Sequence, residues 1–174
     1  MTNAPEPAAR FTVRRANAAD AELLLAWRND PVVRRWSRTS EVIDPDAHAR
    51  WLHGTLADAD RHLLVVQMCG DEGDLPVATA RYDLLPSSAG PTDRARWEIS
   101  ISVAPEMRGR GVGGGTLRAA DDWLAVTEPA AEEVVAEVLP GNEGSDRLFR
   151  RNGYVPTAAA AAQAARYVRR LPRR

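Results

Sequence analysis

Apolar and polar positions alternate with period two over residues 11–15 (FTVRR), 77–85 and 97–103. That period puts successive side chains on opposite faces of a strand. Residues 62–69 (HLLVVQMC) form a short apolar run bounded by turn residues, as expected of a strand buried on both sides. With residues 77–85 they predict a hairpin closed by the glycine- and aspartate-rich turn at 70–74. Residues 134–139 predict another strand, and 154–157 and 166–171 two weaker ones.

Helical spacing fills the intervals. The segment AELLLAWRND follows cap residues at 17–20 and stops at Pro31, and residues 32–36 add a short helical turn. Asp44 precedes Pro45, the favoured residue for a first helical position, and predicts a helix to about Ala57. Trp27 and Trp51 fall on helical faces and are expected in the core. Further helices are expected over 116–126 and from Asn142 to about Asn152, with Gly153 as terminator. Residues 158–165 (AAAAAQAA) read as helix by propensity. Residues 1–9 read as a disordered start, 86–92 as a flexible connection, and residues 10–174 as one domain. The order is β-α-α-β-β-β-α-β-α-β-β.

The polar residues change this picture at one place, RGRGVGGG at 108–115. Five of its eight residues are glycine, and no carboxylate occurs between Glu106 and Asp121. Helix starts normally carry a capping side chain and acids, which meet bare N–H groups and the positive end of the dipole. Each glycine inside a helix costs about 1 kcal/mol relative to alanine. A bound anion accounts for both features, with Arg108 and Arg110 balancing its charge.

Three phosphate-binding patterns compete for this loop. The P-loop lysine and following Ser/Thr are absent. Gly109, Gly111 and Gly114 satisfy G-x-G-x-x-G, but four residues separate the strand from the loop and too little chain follows for a dinucleotide-binding half. The third is coenzyme A. VAPEMRGRGVGGGTL resembles the central motif of the GNAT acetyltransferase superfamily through Arg108, Gly111 and Gly113. NEGSDRLFRRNGY resembles its following helix through Asn142, Ser145, Gly153 and Tyr154.

The resemblance implies an α+β fold: a central, mixed, mostly antiparallel twisted sheet of six to seven strands with helices on both faces. It implies acetyl-CoA as donor. Its pyrophosphate would lie on Arg108, Gly109, Arg110, Gly111, Val112, Gly113 and Gly114, and its pantetheine arm against the strand edge at Ile101, Ser102 and Val103. Asn142, Ser145, Phe149 and Arg151 would line the other side. The family's usual tyrosine, the proton donor to the leaving thiolate, is replaced by Phe149. Water or Ser145 is left as the acid, and Ser145 also has a capping reading three residues after Asn142.

Alternation places Trp97, Ile99, Ile101 and Val103 on one face of their strand, and Glu98, Ser100 and Ser102 on the other. Glu98 is the candidate general base; the competing reading pairs it with Arg96 or Arg81. The region AWRNDPVVRRWSRTSEVIDPDAHARWL resembles the acetyltransferases of nucleotide-linked amino sugars and, less closely, those of protein N-termini. It nominates Arg28, Asn29, Trp36 and His48, with Arg81, as acceptor contacts. Arg28, Arg34, Arg35 and Arg38 have the forked geometry that suits a diphosphate.

Composition narrows the remaining classes. All 23 basic residues are arginine, so a lysine nucleophile or Schiff base is excluded, and the net charge of −1 gives no basis for a nucleic-acid partner. The one cysteine, Cys69, is expected as a packed strand residue and permits no disulfide within the chain. His53 and His62 carry no assigned role, and no metal site is expected. With no signal pattern and no run of about 18 apolar residues, a cytoplasmic protein without membrane partners is expected. The expected function is direct acetyl transfer to a primary amine of a small molecule by a monomer or homodimer. A non-catalytic CoA-binding module is the competing class.

Overall fold

A computed structural model describes residues 10–71, 73–86, 95–157 and 164–172. Seven strands form one sheet in the order β1-β2-β3-β4-β5-β7-β6. In chain order the elements are β1 (Phe11–Arg15), α1 (Ala21–Asn29), α2 (Pro31–Arg35), α3 (Pro45–Ala57), β2 (Arg61–Met68), β3 (Leu75–Leu84), β4 (Ala95–Val103), α4 (Val112–Thr127), β5 (Ala131–Val138), α5 (Glu143–Arg151), β6 (Val155–Pro156) and β7 (Ala165–Arg170). Among the described residues only the β4–β5 pairing is parallel. The α+β architecture implied by the resemblance is the observed one.

The apolar run of β2 shows why the sheet is central. Leu64 and Val66 point to one side, into a cluster with Leu117, Ala120 and Leu124 of α4. Leu63 and Val65 point to the other, against Leu24 of α1 and Leu52 of α3. A strand apolar on both faces needs a helix layer on each. A third cluster joins Trp27 and Val77 to Met107 and Val112, the residues flanking the glycine loop. Trp27 is thus core, as expected, and it fixes the loop from below.

Asp121 of α4 is 1% exposed and lies beneath the sheet among three donors. It accepts from the Tyr82 and Tyr154 hydroxyls at 2.7 and 3.0 Å and from Arg169. Burial pushes its carboxyl above the usual range, and these three donors work against that shift.

The caps at Asn17, Asp44 and Asn142 form as their sequences indicate. Several expectations are corrected. α4 begins at Val112, four residues before the expected start, so the three consecutive glycines lie inside its first turns. Trp51 is 38% exposed rather than core. β2 ends at Met68, leaving Cys69 half-buried beyond the strand, with its N–H donating to the Arg10 carbonyl at 2.9 Å. The expected disordered start (1–9), most of the flexible connection and most of the alanine run lie outside the described residues. Among the described residues no helix is long and apolar enough to cross a membrane.

Candidate active site

β4 and β5 pair only as far as the rung Ile99–Ala136. β4 continues to Val103 and β5 to Val138, so the strands part in mid-sheet. One backbone edge of residues 100–103 is left without a strand partner, while the other pairs with β3. A cleft of about 1190 Å³ occupies the split. It runs from the start of α4 and the face of α5, past Ile101, Ser102 and Val103, to Trp36, His48 and Trp51.

The end of the cleft at the start of α4 is built by backbone. Gly109 (φ +73°) and Gly111 (φ +75°) are left-handed, a conformation that disfavours any side chain. Gly111 is the N-cap of α4; no side chain caps it and the first turn holds no acid. Bare N–H groups at the positive end of a 16-residue helix therefore face the cleft. Gly113 brings α4 against α5, since a Cβ there would lie 3.3 Å from Leu148. These features fit a diphosphate and an extended arm.

Arg108, expected to balance an anion, already has a carboxylate partner. Its Nη1 pairs with Asp30 at 2.8 Å, and Asp30 also caps α2 through the N–H groups of Val32 and Val33. Nη2 is buried without a partner among the described residues. Arg108 lines the cleft, whereas Arg110 is exposed and does not. Arg118, which the sequence reading missed, does line it and donates to Asn152 at 2.9 Å. Its only signal in the sequence was a helix position seven residues after Gly111.

The opposite wall holds α5. Asn142 Oδ1 accepts the Ser145 N–H at 3.1 Å, so Asn142 caps the helix and Ser145 supplies the capped N–H; both line the cleft, and Arg151 lines it too. Phe149 is 4% exposed and packs on Tyr154 and Tyr167. All three tyrosines of the chain are buried, and none lines the cleft.

On the acceptor side, alternation places Glu98, Ser100 and Ser102 on the face toward α1 and α3. Arg81 lies opposite Ser100, and Thr79 opposite Ser102. Glu98 pairs with neither expected arginine. Arg81 donates to Asp83 at 2.9 Å, and Arg96 pairs with Glu133. The partner of Glu98 is Arg38, at 2.8 Å. Arg38 also reaches Glu137 of β5, a carboxylate the sequence reading passed over although it interrupts an apolar run. Arg166 donates to Glu137 and, with Arg38, holds its carboxyl below the usual range.

Of the nominated acceptor contacts, Trp36, His48, Arg81 and Arg28 line the cleft. Asn29 does not: its amide hydrogen-bonds both backbone groups of Ile43, at 2.9 and 2.8 Å. Arg28 donates to the Thr39 carbonyl and Arg34 to that of Ser40, so both hold the loop after α2. His48 is 3% exposed, and burial lowers its pKa, favouring the neutral ring.

Comparison with known proteins agrees with this geometry. A family model described as an acetyltransferase (GNAT) domain matches residues 10–155. The fold is similar to that of a domain from Methanocaldococcus jannaschii DSM 2661 (TM-score 0.74, 21% identity, covering 94% of this chain and 99% of that one). It is similar to AAC(6')-Ib in complex with ribostamycin and coenzyme A (0.75, 18%, 92% and 93%). It is similar to spermidine N-acetyltransferase from Vibrio cholerae in complex with CoA and spermine (0.75, 15%, 92% and 95%). A search of curated proteins found no match. With the glycine-capped helix, the parted strands and a family match over most of its length, the chain belongs to the GNAT acetyltransferase family, whose acetyl donor is acetyl-CoA.

Proposed function

We propose that this protein transfers an acetyl group from acetyl-CoA directly to a primary amine of a small molecule, with an amino sugar as the favoured acceptor. The observation that carries the reading is the position of Glu98. It stands one residue before the last β4–β5 rung, on the cleft wall, where the strands begin to part.

Bound acetyl-CoA supplies the acetyl group as a thioester, whose C–S bond breaks as the C–N bond forms. The start of α4 holds the pyrophosphate, and residues 101–103 receive the pantetheine arm as a strand would. Their backbone N–H groups are suited to polarise the thioester oxygen. Glu98, directly or through one water, takes the proton that the amine must lose. With no tyrosine in the cleft, Ser145 or water returns a proton to sulfur. A thiol pKa of about 8.5 makes that help modest in importance.

The nucleotide-linked form of the acceptor loses support, because Arg28 and Arg34 are committed to carbonyl oxygens of the loop after α2. AAC(6')-Ib with ribostamycin and the Vibrio cholerae enzyme with spermine supply examples of amine ligands on this fold. The absence of a tyrosine from the cleft favours one competing reading, a module that holds CoA without catalysis.

The test is to incubate the protein with acetyl-CoA and a panel of amines, and to follow thiol release and product mass. The panel holds glucosamine, a UDP-linked amino sugar, an aminoglycoside, spermine and a peptide N-terminus. Turnover with glucosamine or the aminoglycoside supports the proposal. Turnover with the peptide alone replaces the acceptor, and no turnover with retained CoA binding favours the module.

A further inference from the structure

We propose that Arg38 occupies the seat of the acceptor's ammonium group, so that the cleft selects a cationic amine able to displace this guanidinium from between Glu98 and Glu137. The inference rests on the transfer reading and narrows its acceptor class. One nitrogen of Arg38, Nη2, lies 2.8 Å from Glu98 Oε1 and 3.3 Å from Glu137 Oε2. The carboxylates belong to different strands. Glu98 precedes the last rung, Ile99–Ala136, and Glu137 follows it. The guanidinium therefore bridges the strands where they part, which is where an amine must arrive to reach a thioester lying in the split.

Arg38 is built to leave. Its side chain is 73% exposed, and exposed ion pairs stabilise little because water and side-chain entropy compete with them. The loop that carries it is fixed independently by Arg28, Arg34 and Asn29, each bonded to its backbone. The arm can swing away without loosening its base. Its departure leaves Glu98 and Glu137 with Arg166 as the one guanidinium, among the described residues, still bonded to either. That negative balance favours an incoming cation.

His48 supplies an independent indication of a ligand. Its imidazole is 3% exposed and lines the same cleft, yet it makes no hydrogen bond among the described residues. A neutral ring in that position accepts an N–H or O–H from a bound molecule. The acceptor half thus presents Glu98, Glu137 and His48 as acceptors. Its other arginines, Arg28, Arg34 and Arg81, donate to protein oxygens, with one buried nitrogen of Arg28 unpartnered among the described residues. An amine bearing several positive charges suits this lining, and an anionic one does not.

The experiment is calorimetric titration of spermine and of UDP-glucosamine into the CoA-bound protein, as wild type, Arg38→Ala and Glu137→Gln. Kinetic constants for acetyl transfer to spermine are measured alongside. Removing the competing guanidinium is expected to tighten spermine by roughly 2- to 5-fold, the range of an exposed ion pair. Removing the Glu137 charge is expected to weaken it by about tenfold or more. Unchanged or weaker spermine binding in Arg38→Ala overturns the proposal. So does tighter binding of UDP-glucosamine than of spermine to the wild type. Binding is read without turnover. Tightened spermine with no acetyl transfer to it or to any amine of the panel keeps the cation seat and removes the transfer reading, whereas transfer with unaltered spermine affinity does the reverse.

Discussion

A Cβ at position 115 would overlap the ring of Phe11. The third consecutive glycine is therefore required by packing of α4 against β1. Gly109 and Gly111 are favoured by left-handed backbone, and Gly113 sits where a Cβ would press on Leu148 of α5. A glycine run in a sequence does not show this division of labour. Missing acids and costly glycines point together to an anion, but only part of the run serves that end. Gly115→Val is expected to destabilise the fold by about 1–3 kcal/mol through overpacking, measured as a lowered urea midpoint at unchanged slope. An unaltered midpoint would show that Phe11 moves aside freely.

Elements with strong local signals were legible. Alternation over 97–103 set the two faces of β4, and Asn17, Asp44 and Asn142 marked their helix starts. The first turn of α4 was not, because glycine propensity opposes it and contacts with Phe11 and Leu148 override that preference. Nor were the partners of Glu98 and Arg108, since Arg38 and Asp30 lie far away along the chain and only the folded loop brings them in. Asp30 joins two elements, capping α2 and holding Arg108 at the glycine loop. Asp30→Ala is expected to lower stability by about 1–2 kcal/mol, the usual loss of a helix cap, in chemical unfolding. CoA affinity is expected to fall with it, because Arg108 loses its anchor. Unchanged CoA affinity would separate the loop from α2.

For the whole molecule, the family and its donor were legible from two spaced motifs, while the acceptor depends on side chains gathered from α1 to β5. Charge pairs tie these parts together and set the acid limit of the fold. Hydrogen bonding from Arg14 lowers the pKa of Asp20, and Arg166 does the same for Glu137. A carboxylate with a lowered folded pKa contributes stability that is complete above its unfolded value, about 4, and is lost as pH falls through the folded value. Unfolding free energy is therefore expected to hold from pH 7 to about 5 and to decline below 4, with Asp20→Asn flattening that decline; an equally steep decline in the variant would place the effect elsewhere. The proposed transfer rests on one step, the passage of the amine proton to Glu98. It is tested most directly by Glu98→Gln, comparing kcat with the dissociation constant of acetyl-CoA. The expected result is a kcat lower by about 10²–10⁴-fold with acetyl-CoA affinity unchanged. A variant that keeps wild-type kcat would contradict it.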